Sequence, residues 1–317
     1  MKEVKHINLG KRMSLNELVL EMKKSGVFTG GRVAIAVDII EEMFKDKECK
    51  VFFGLAGAMV PAGMKNIVID LLKSGNVGVF VSTGANLTHD LIEALDFKHY
   101  QGNDFVDDKE LSEKGIDRIY DVFMKNEVYE GLEDFFRKNI DEFEGKMSAK
   151  EFLWKIGSLL ERKGSTHFNP ENERESILKV CYENKIPIFC PGITDSGIGL
   201  MVYGREMEGK KIEIDVFSDL KEIMDISWEC KKSGVIYVGG GLPKNYIQQA
   251  MQFSPKSASY GVQITIDSVE GGGSSGAPLK EGISWGKMSK EGKFVDVWCD
   301  ATIALPLIFG AVKERIK

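Results

Sequence analysis

Histidine, cysteine and proline are scarce in this chain of 317 residues, numbering four, five and eight. Cys49, Cys181, Cys190, Cys230 and Cys299 are odd in number, widely spaced and free of any Cys-x-x-Cys pair. That excludes a disulfide scaffold and a zinc site, and predicts buried, inert thiols in a reducing compartment. His6, His89, His99 and His167 show neither His-x-x-x-His nor His-Glu-x-x-His spacing, so no metal site is expected. No apolar run approaches the ~20 residues of a membrane span. The charged start Met1–Lys5 leads into no signal-peptide core, and a cytoplasmic location is expected. A basic excess is missing too. With 42 basic and 48 acidic side chains the net charge is -6, which argues against a general nucleic-acid binder and leaves room for a cationic substrate or a basic partner.

Glycine, by contrast, is plentiful at 34 residues, without a repeat and without the G-x-G-x-x-G or P-loop pattern. Apolar residues at 43% and charged residues at 28% are ordinary for a globular protein. Short β-branched runs alternate with amphipathic stretches. Strands are expected at Lys50–Phe53, Val77–Val81, Ile186–Cys190, Val235–Val238, Gly261–Ile266 and Phe294–Cys299. Helices are expected near Met64–Lys73, Thr88–Leu95, Ser176–Asn184, Leu220–Ser233, Tyr246–Phe253 and Ile303–Ile316. This order predicts an α/β fold, Rossmann-like, with a mainly parallel sheet and helices on both faces. The charged stretch 107–163 carries Leu132, Phe135, Phe136 and Ile140 at helical spacing and hardly any strand signal. It reads as a helical insertion within one domain spanning 1–317, with a separate helical domain as the alternative.

Three glycine-bearing turns follow expected strands: Ser82-Thr83-Gly84-Ala85-Asn86, Asp195-Ser196-Gly197-Ile198-Gly199 and Gly239-Gly240-Gly241-Leu242-Pro243-Lys244. Such turns bare backbone N–H groups at a helix N-terminus, where a phosphate can sit. Each alone is common in α/β proteins. Together, at strand ends in one sheet, they point to a dinucleotide crevice. Asp195 and Asp300 each follow an apolar strand, from which a carboxylate can accept from ribose hydroxyls. The small-residue run Asp267–Pro278, then Glu281 and Ser284-Trp285-Gly286-Lys287, cannot build a core and allows close approach to a ligand. If this segment is extended, Trp285 and Lys287 share a side. A lysine held against an indole away from water is pushed towards the neutral, nucleophilic amine that Schiff-base chemistry needs. A surface loop with a solvated lysine is the competing reading. His89, one helical turn beyond Thr83–Asn86, is either functional or a core or capping histidine.

Ser284–Lys287, the Ser275-Gly276-Ala277 turn and Gly239-Gly240-Gly241-x-Pro243-Lys244 resemble deoxyhypusine synthase, in its archaeal type and bacterial relatives. The resemblance continues through Thr83–Leu87, Ile193–Asp195, Asp300-Ala301 and Leu305–Leu307, from about Ile7 to Val312. It implies a homotetrameric transferase with active sites at subunit interfaces. In that family NAD takes a hydride from spermidine and diaminopropane leaves. The aminobutyl group passes through an enzyme-lysine imine to a lysine of the hypusine-carrying translation factor. Matched positions make Lys287 the nucleophile, pack Trp285 on the substrate's carbon chain and set Glu281 against an ammonium. Thr83, Gly84, Ala85, His89, Asp195, Gly240, Asp300 and Ala301 match cofactor positions. Departures from the better-known eukaryotic members gather on the polyamine side. Asn245 replaces a histidine, Leu200 an acid, and Glu270 is the only carboxylate left in the glycine loop, so Glu270 and Asn245 are candidate substrate contacts. His89 stands where those eukaryotic members carry an acid near the nicotinamide. Two alternatives stay open, aminobutyl transfer to putrescine and a catalytically silent NAD- or polyamine-binding subunit.

Overall fold

The computed structural model describes residues 1–161 and 175–316, which form two compact units. His167 and the end of the stretch set at 107–163 lie outside the described residues. The first unit gathers residues 1–56, 75–81 and 221–317, and the second takes 57–74 and 82–220.

Five strands lie in the first unit, hydrogen-bonded in the order Met288–Trp298, Ala258–Thr265, Lys232–Val238, Cys49–Leu55 and Val77–Ser82. Phe52 stands opposite Val235, and Val262 opposite both Ile236 and Val295, all in parallel pairing. Val51–Leu55 and Val235–Val238 are buried throughout. Strands of a parallel sheet bury both faces and so read as apolar runs, which is why the sequence shows them. The expected strand 294–299 is the tail of the longer Met288–Trp298, whose charged middle (Lys290, Glu291, Lys293) hides its first half.

Two helices not expected from the sequence, Leu15–Ser25 and Phe28–Lys45, form within the first 45 residues. Ser14 and Glu17 close a capping box on the first. Both pack with the helix Ala301–Arg315. Gly310 lies at that contact, where a Cβ would meet the Leu15 side-chain tip at 2.2 Å. The Arg315 guanidinium donates to Asp38 at 2.8 Å and Glu41 at 3.0 Å.

In the second unit, the stretch expected to be helical also contains strands. Ile116–Ile119 and Val122–Lys125 pair antiparallel, His99–Gln101 joins them, and Gly145–Ser148 runs parallel to Ile212–Asp215. Each is four residues or fewer and mixes charge with apolar side chains, too short for a period of two to register. The helical part of the reading holds in Glu127–Lys138, where Leu132, Phe135 and Phe136 are buried. Phe136 packs on Phe143 and Phe152 with ring centroids 5.2 and 6.1 Å away. Buried Asp90 accepts from Ser176 Oγ at 2.6 Å and from the N–H groups of Ile177 and Leu178, securing the start of the helix Ile177–Glu183.

All five cysteines are free. Cys181 and Cys190 are buried, and burial pushes the Cys190 thiol up to about 12. Cys49, Cys230 and Cys299 are only half-buried, because Cys49 opens the strand Cys49–Leu55 and the other two lie just outside strands. No helix among the described residues is long and apolar enough to cross a membrane.

Candidate active site

Lys287 sits where a one-turn 3-10 helix, Leu279–Ile283, hands over to the strand Met288–Trp298. Its N–H donates to Gly282 O at 2.8 Å, and its carbonyl accepts from Ala258 N at 3.1 Å. Gly286 between them takes φ +71°, a left-handed conformation that a side chain would strain. That reversal brings Lys287 Nζ to 5.0 Å from the Trp285 ring centroid, a cation–π contact. The two side chains therefore meet through a left-handed turn, where the sequence reading has an extended segment. Trp285 remains 57% exposed, Lys287 is half-buried and Glu281 is exposed. The indole is in place, but a single chain does not enclose the amine.

The enclosed lysine is Lys244, 1% exposed. It stands in the first turn of the helix Gly241–Phe253 and donates to Ser274 O at 2.5 Å and Ala277 O at 2.6 Å. Burial pushes its amine down to about 8. The Asp296 and Glu281 carboxylates oppose the shift and the Lys287 charge adds to it. Gln263, fully buried, donates to Ser275 O at 3.0 Å and Ala277 O at 3.3 Å. Gly240 packs so tightly that a Cβ would lie 2.3 Å from Ser275 Cα, and one on Gly276 would lie 2.0 Å from Ser268 O. The triple-glycine turn and the Ser275-Gly276-Ala277 turn are thus one device, with Lys244 and Gln263 pinning the loop from beneath. In the sequence Lys244 closes the triple-glycine motif with no role evident from its neighbours. The available signal is a cation in a helix's first turn, where the dipole disfavours it unless other contacts hold it.

Lys244→Met leaves the Ser274 and Ala277 carbonyls short of donors and is expected to destabilise the protein by about 1–3 kcal/mol near neutral pH. Denaturant unfolding measures it, and unchanged stability would show that the loop stands without this lysine. The loss is expected to change with pH. Between about 8 and the ordinary lysine value of 10.5 the unfolded chain holds the extra proton, so this residue's contribution to stability rises with pH there and falls as pH drops through 8.

Other expected contacts of this unit are dispersed. Asp300 caps the helix Ala301–Arg315, accepting from Thr302 N at 2.8 Å, and is exposed. Asn245 is half-buried beside Lys244, and Glu270 is exposed in the single turn Val269–Gly271. No hydrogen bond or ion pair among the described residues joins Glu270 to Glu281 or Lys287.

In the second unit two helix N-termini meet. Thr83 caps Gly84–Ala94 and Ser196 caps Gly197–Met207. A Cβ on Gly84 would lie 2.5 Å from Ser196 Cβ, and one on Gly197 would lie 2.7 Å from Thr88 Cγ2, so only glycine allows this approach. Thr83 Oγ1 accepts from Asn86 N, Ser196 Oγ from Gly199 N and Thr88 Oγ1 from Ile198 N. Gly84, Ala85 and Gly197 are first-turn residues of these helices, whose N–H groups have no partner within their own helix. Asp195, exposed, precedes the second cap. His89 is half-buried, with Nδ1 2.9 Å from His99 Nε2.

A mainly parallel α/β sheet whose polar groups gather at glycine turns, with a lysine set over an indole, defines the class. The family described as "DS: Deoxyhypusine synthase" matches residues 17–312, and the chain belongs to this family of transferases. It is 42% identical over 314 residues to a protein of Methanosarcina acetivorans named probable deoxyhypusine synthase 1, covering 99% of this chain and 95% of that one. It is 37% identical over 318 residues to a deoxyhypusine synthase-like protein of Chlorobaculum tepidum, covering 97% and 88%. A crystal structure assigned as a deoxyhypusine synthase from Entamoeba histolytica shares the fold, with a TM-score of 0.64 at 20% identity over 99% of this chain and 98% of that one.

Proposed function

We propose that this protein moves the aminobutyl group of spermidine, through an imine on Lys287, to a lysine of the hypusine-carrying translation factor, using NAD. The observation that carries the reading is Lys287 Nζ held 5.0 Å from the Trp285 ring, in a chain of this family. NAD, when bound, supplies a hydride acceptor and later a hydride donor. The residues present fit such a group. In the second unit, Gly84, Ala85 and Gly197 offer N–H groups at two converging helix N-termini, the donor set a pyrophosphate takes.

Lys287 supplies the nitrogen that joins the oxidised aminobutyl carbon as diaminopropane leaves with its own nitrogen. Trp285 packs along the butyl carbons, and Glu281 answers a substrate ammonium. The pinned loop Ser274–Ala277 keeps the backbone below them still. A protein lysine then displaces Lys287 from the imine carbon. Incubation with NAD, labelled spermidine and either the purified translation factor or putrescine tests the acceptor. Label in the protein supports this reading, and label in homospermidine replaces it with the putrescine reaction. Asp195→Ala and Asp300→Ala are each expected to weaken NAD binding by about 1–3 kcal/mol, read by calorimetry. Asp300→Ala also loses a helix cap worth about 1 kcal/mol. Unchanged affinity in both would remove these carboxylates from the cofactor site.

A further inference from the structure

In the first unit, two polar side chains on neighbouring strands hold the loop that leads to Lys287. Gln263 and Asp296 stand directly opposite each other where Ala258–Thr265 pairs with Met288–Trp298, so both project from one face of the sheet. They reach the same short segment. Gln263 Nε2 donates to Ser275 O at 3.0 Å and to Ala277 O at 3.3 Å, and Asp296 Oδ1 accepts from Leu279 N at 2.9 Å. The other oxygen of each is unused. Gln263 Oε1 is buried without a donor, and turning the amide over would only face that oxygen with two carbonyls. Asp296 is 7% exposed, and among the described residues no ion pair engages it and no hydrogen bond uses its Oδ2.

We infer that Asp296 keeps its proton in the folded protein at neutral pH and donates it from Oδ2 to Gln263 Oε1, closing a clamp on Ser275–Leu279. One proton satisfies both oxygens. A buried amide oxygen without a donor costs free energy, and a buried carboxylate without an ion partner costs more, so the acid takes the neutral form. The charges acting on Asp296 come from two helices. Lys244, on Gly241–Phe253, donates to the Ser274 and Ala277 carbonyls, and Arg32, on Phe28–Lys45, donates to the Asp296 main-chain carbonyl at 3.2 Å. Both cations and the Leu279 N–H favour the ionised acid. Burial is the largest effect, outweighs them and pushes the acid above its ordinary value.

Asp296 and Gln263 are thereby positioning residues for Lys287, a role that rests on the function proposed above. Leu279 opens the 3-10 helix Leu279–Ile283, and Lys287 N donates to Gly282 O within it. Holding Ser275, Ala277 and Leu279 from the sheet fixes the base of that helix, and with it the backbone that carries the amine. The clamp itself has a pH dependence of known sign. An acid protonated in the fold and ionised in the unfolded chain makes stability fall as pH rises above the ordinary value of 3.8. Asp296→Asn is expected to lose that slope.

Infrared difference spectra of the full-length protein, wild type against Asp296→Asn, test the proton directly. At neutral pH the wild type is expected to show a protonated-carboxyl C=O band that the variant lacks. Asparagine can make both contacts, since its amide oxygen accepts from Leu279 N and its NH2 donates to Gln263 Oε1. Denaturant unfolding is therefore expected to place Asp296→Asn within about threefold of the wild-type equilibrium constant, and Asp296→Ala about tenfold or more towards the unfolded chain. In diaminopropane release, Asp296→Ala is expected to lower kcat about 10–100-fold, and Asp296→Asn to stay within about threefold of wild type. Absence of the band, or an asparagine variant as damaged as the alanine one, overturns the clamp. If Asp296→Ala does not fold, the infrared comparison with Asp296→Asn still decides. A wild type that releases no diaminopropane refutes the aminobutyl-transfer reading instead, and the band and the unfolding of Asp296→Asn still decide the clamp.

Discussion

Lys287→Ala is expected to abolish aminobutyl transfer while NAD still binds, and Lys287→Arg to be equally dead. Alanine removes the nitrogen that carries the aminobutyl group. Arginine keeps a cation over Trp285, but its guanidinium stays protonated and cannot form an imine. The arginine variant is therefore the sharper test, because charge and stacking survive while chemistry is lost. Borohydride trapping during incubation with spermidine and NAD, followed by peptide mapping, reports the lysine and the mass it carries. Product from either variant, or a trapped adduct on Lys244, would move the covalent step away from Lys287. Lys244 is the natural competitor, since burial brings its amine near 8, but both its acceptors are loop carbonyls.

Glu281→Gln is expected to raise the spermidine Michaelis constant at least 100-fold with NAD affinity kept. Glu270 is exposed in the turn Val269–Gly271. Asp296 and Glu281 are the carboxylates that act on Lys244, and of the two only Glu281 is exposed. Removing one partner of a desolvated ion pair costs about 3–5 kcal/mol, against about 0–1 kcal/mol for an exposed pair. Glu281 is exposed in the single chain, so the size of the effect reports how completely substrate and a neighbouring subunit cover it. A change below about fivefold would mean that other residues bind the amine. Kinetics with spermidine, putrescine and agmatine side by side would then rank a less charged amine or a guanidinium.

The fold class and the family were legible from the chain alone, because parallel strands buried on both faces leave apolar runs and the glycine turns between them leave fixed motifs. The strands at 116–119, 122–125 and 145–148 were not legible, since edge pairing of four charged and apolar residues leaves no period to read. The first two helices went unread despite the Ser14–Glu17 capping box at the start of one of them.

Within the site, residue chemistry follows from sequence, but environment does not. Lysine beside tryptophan is a local pattern, and two residues across one left-handed glycine will meet in any fold that keeps the turn. Which lysine is desolvated depends on residues far apart in the chain, and tertiary packing encloses Lys244 beneath Ser274–Ala277 while leaving Lys287 half-open. The same holds for His89. Its position after a glycine turn is written in the sequence, but its coupling to His99 and Glu93 exists only because helix Gly84–Ala94 is followed by the strand His99–Gln101, which turns one imidazole back onto another. Bond-range geometry is set by neighbours in sequence. Burial and charge coupling are set by whatever the fold brings alongside, and they decide which groups can do chemistry.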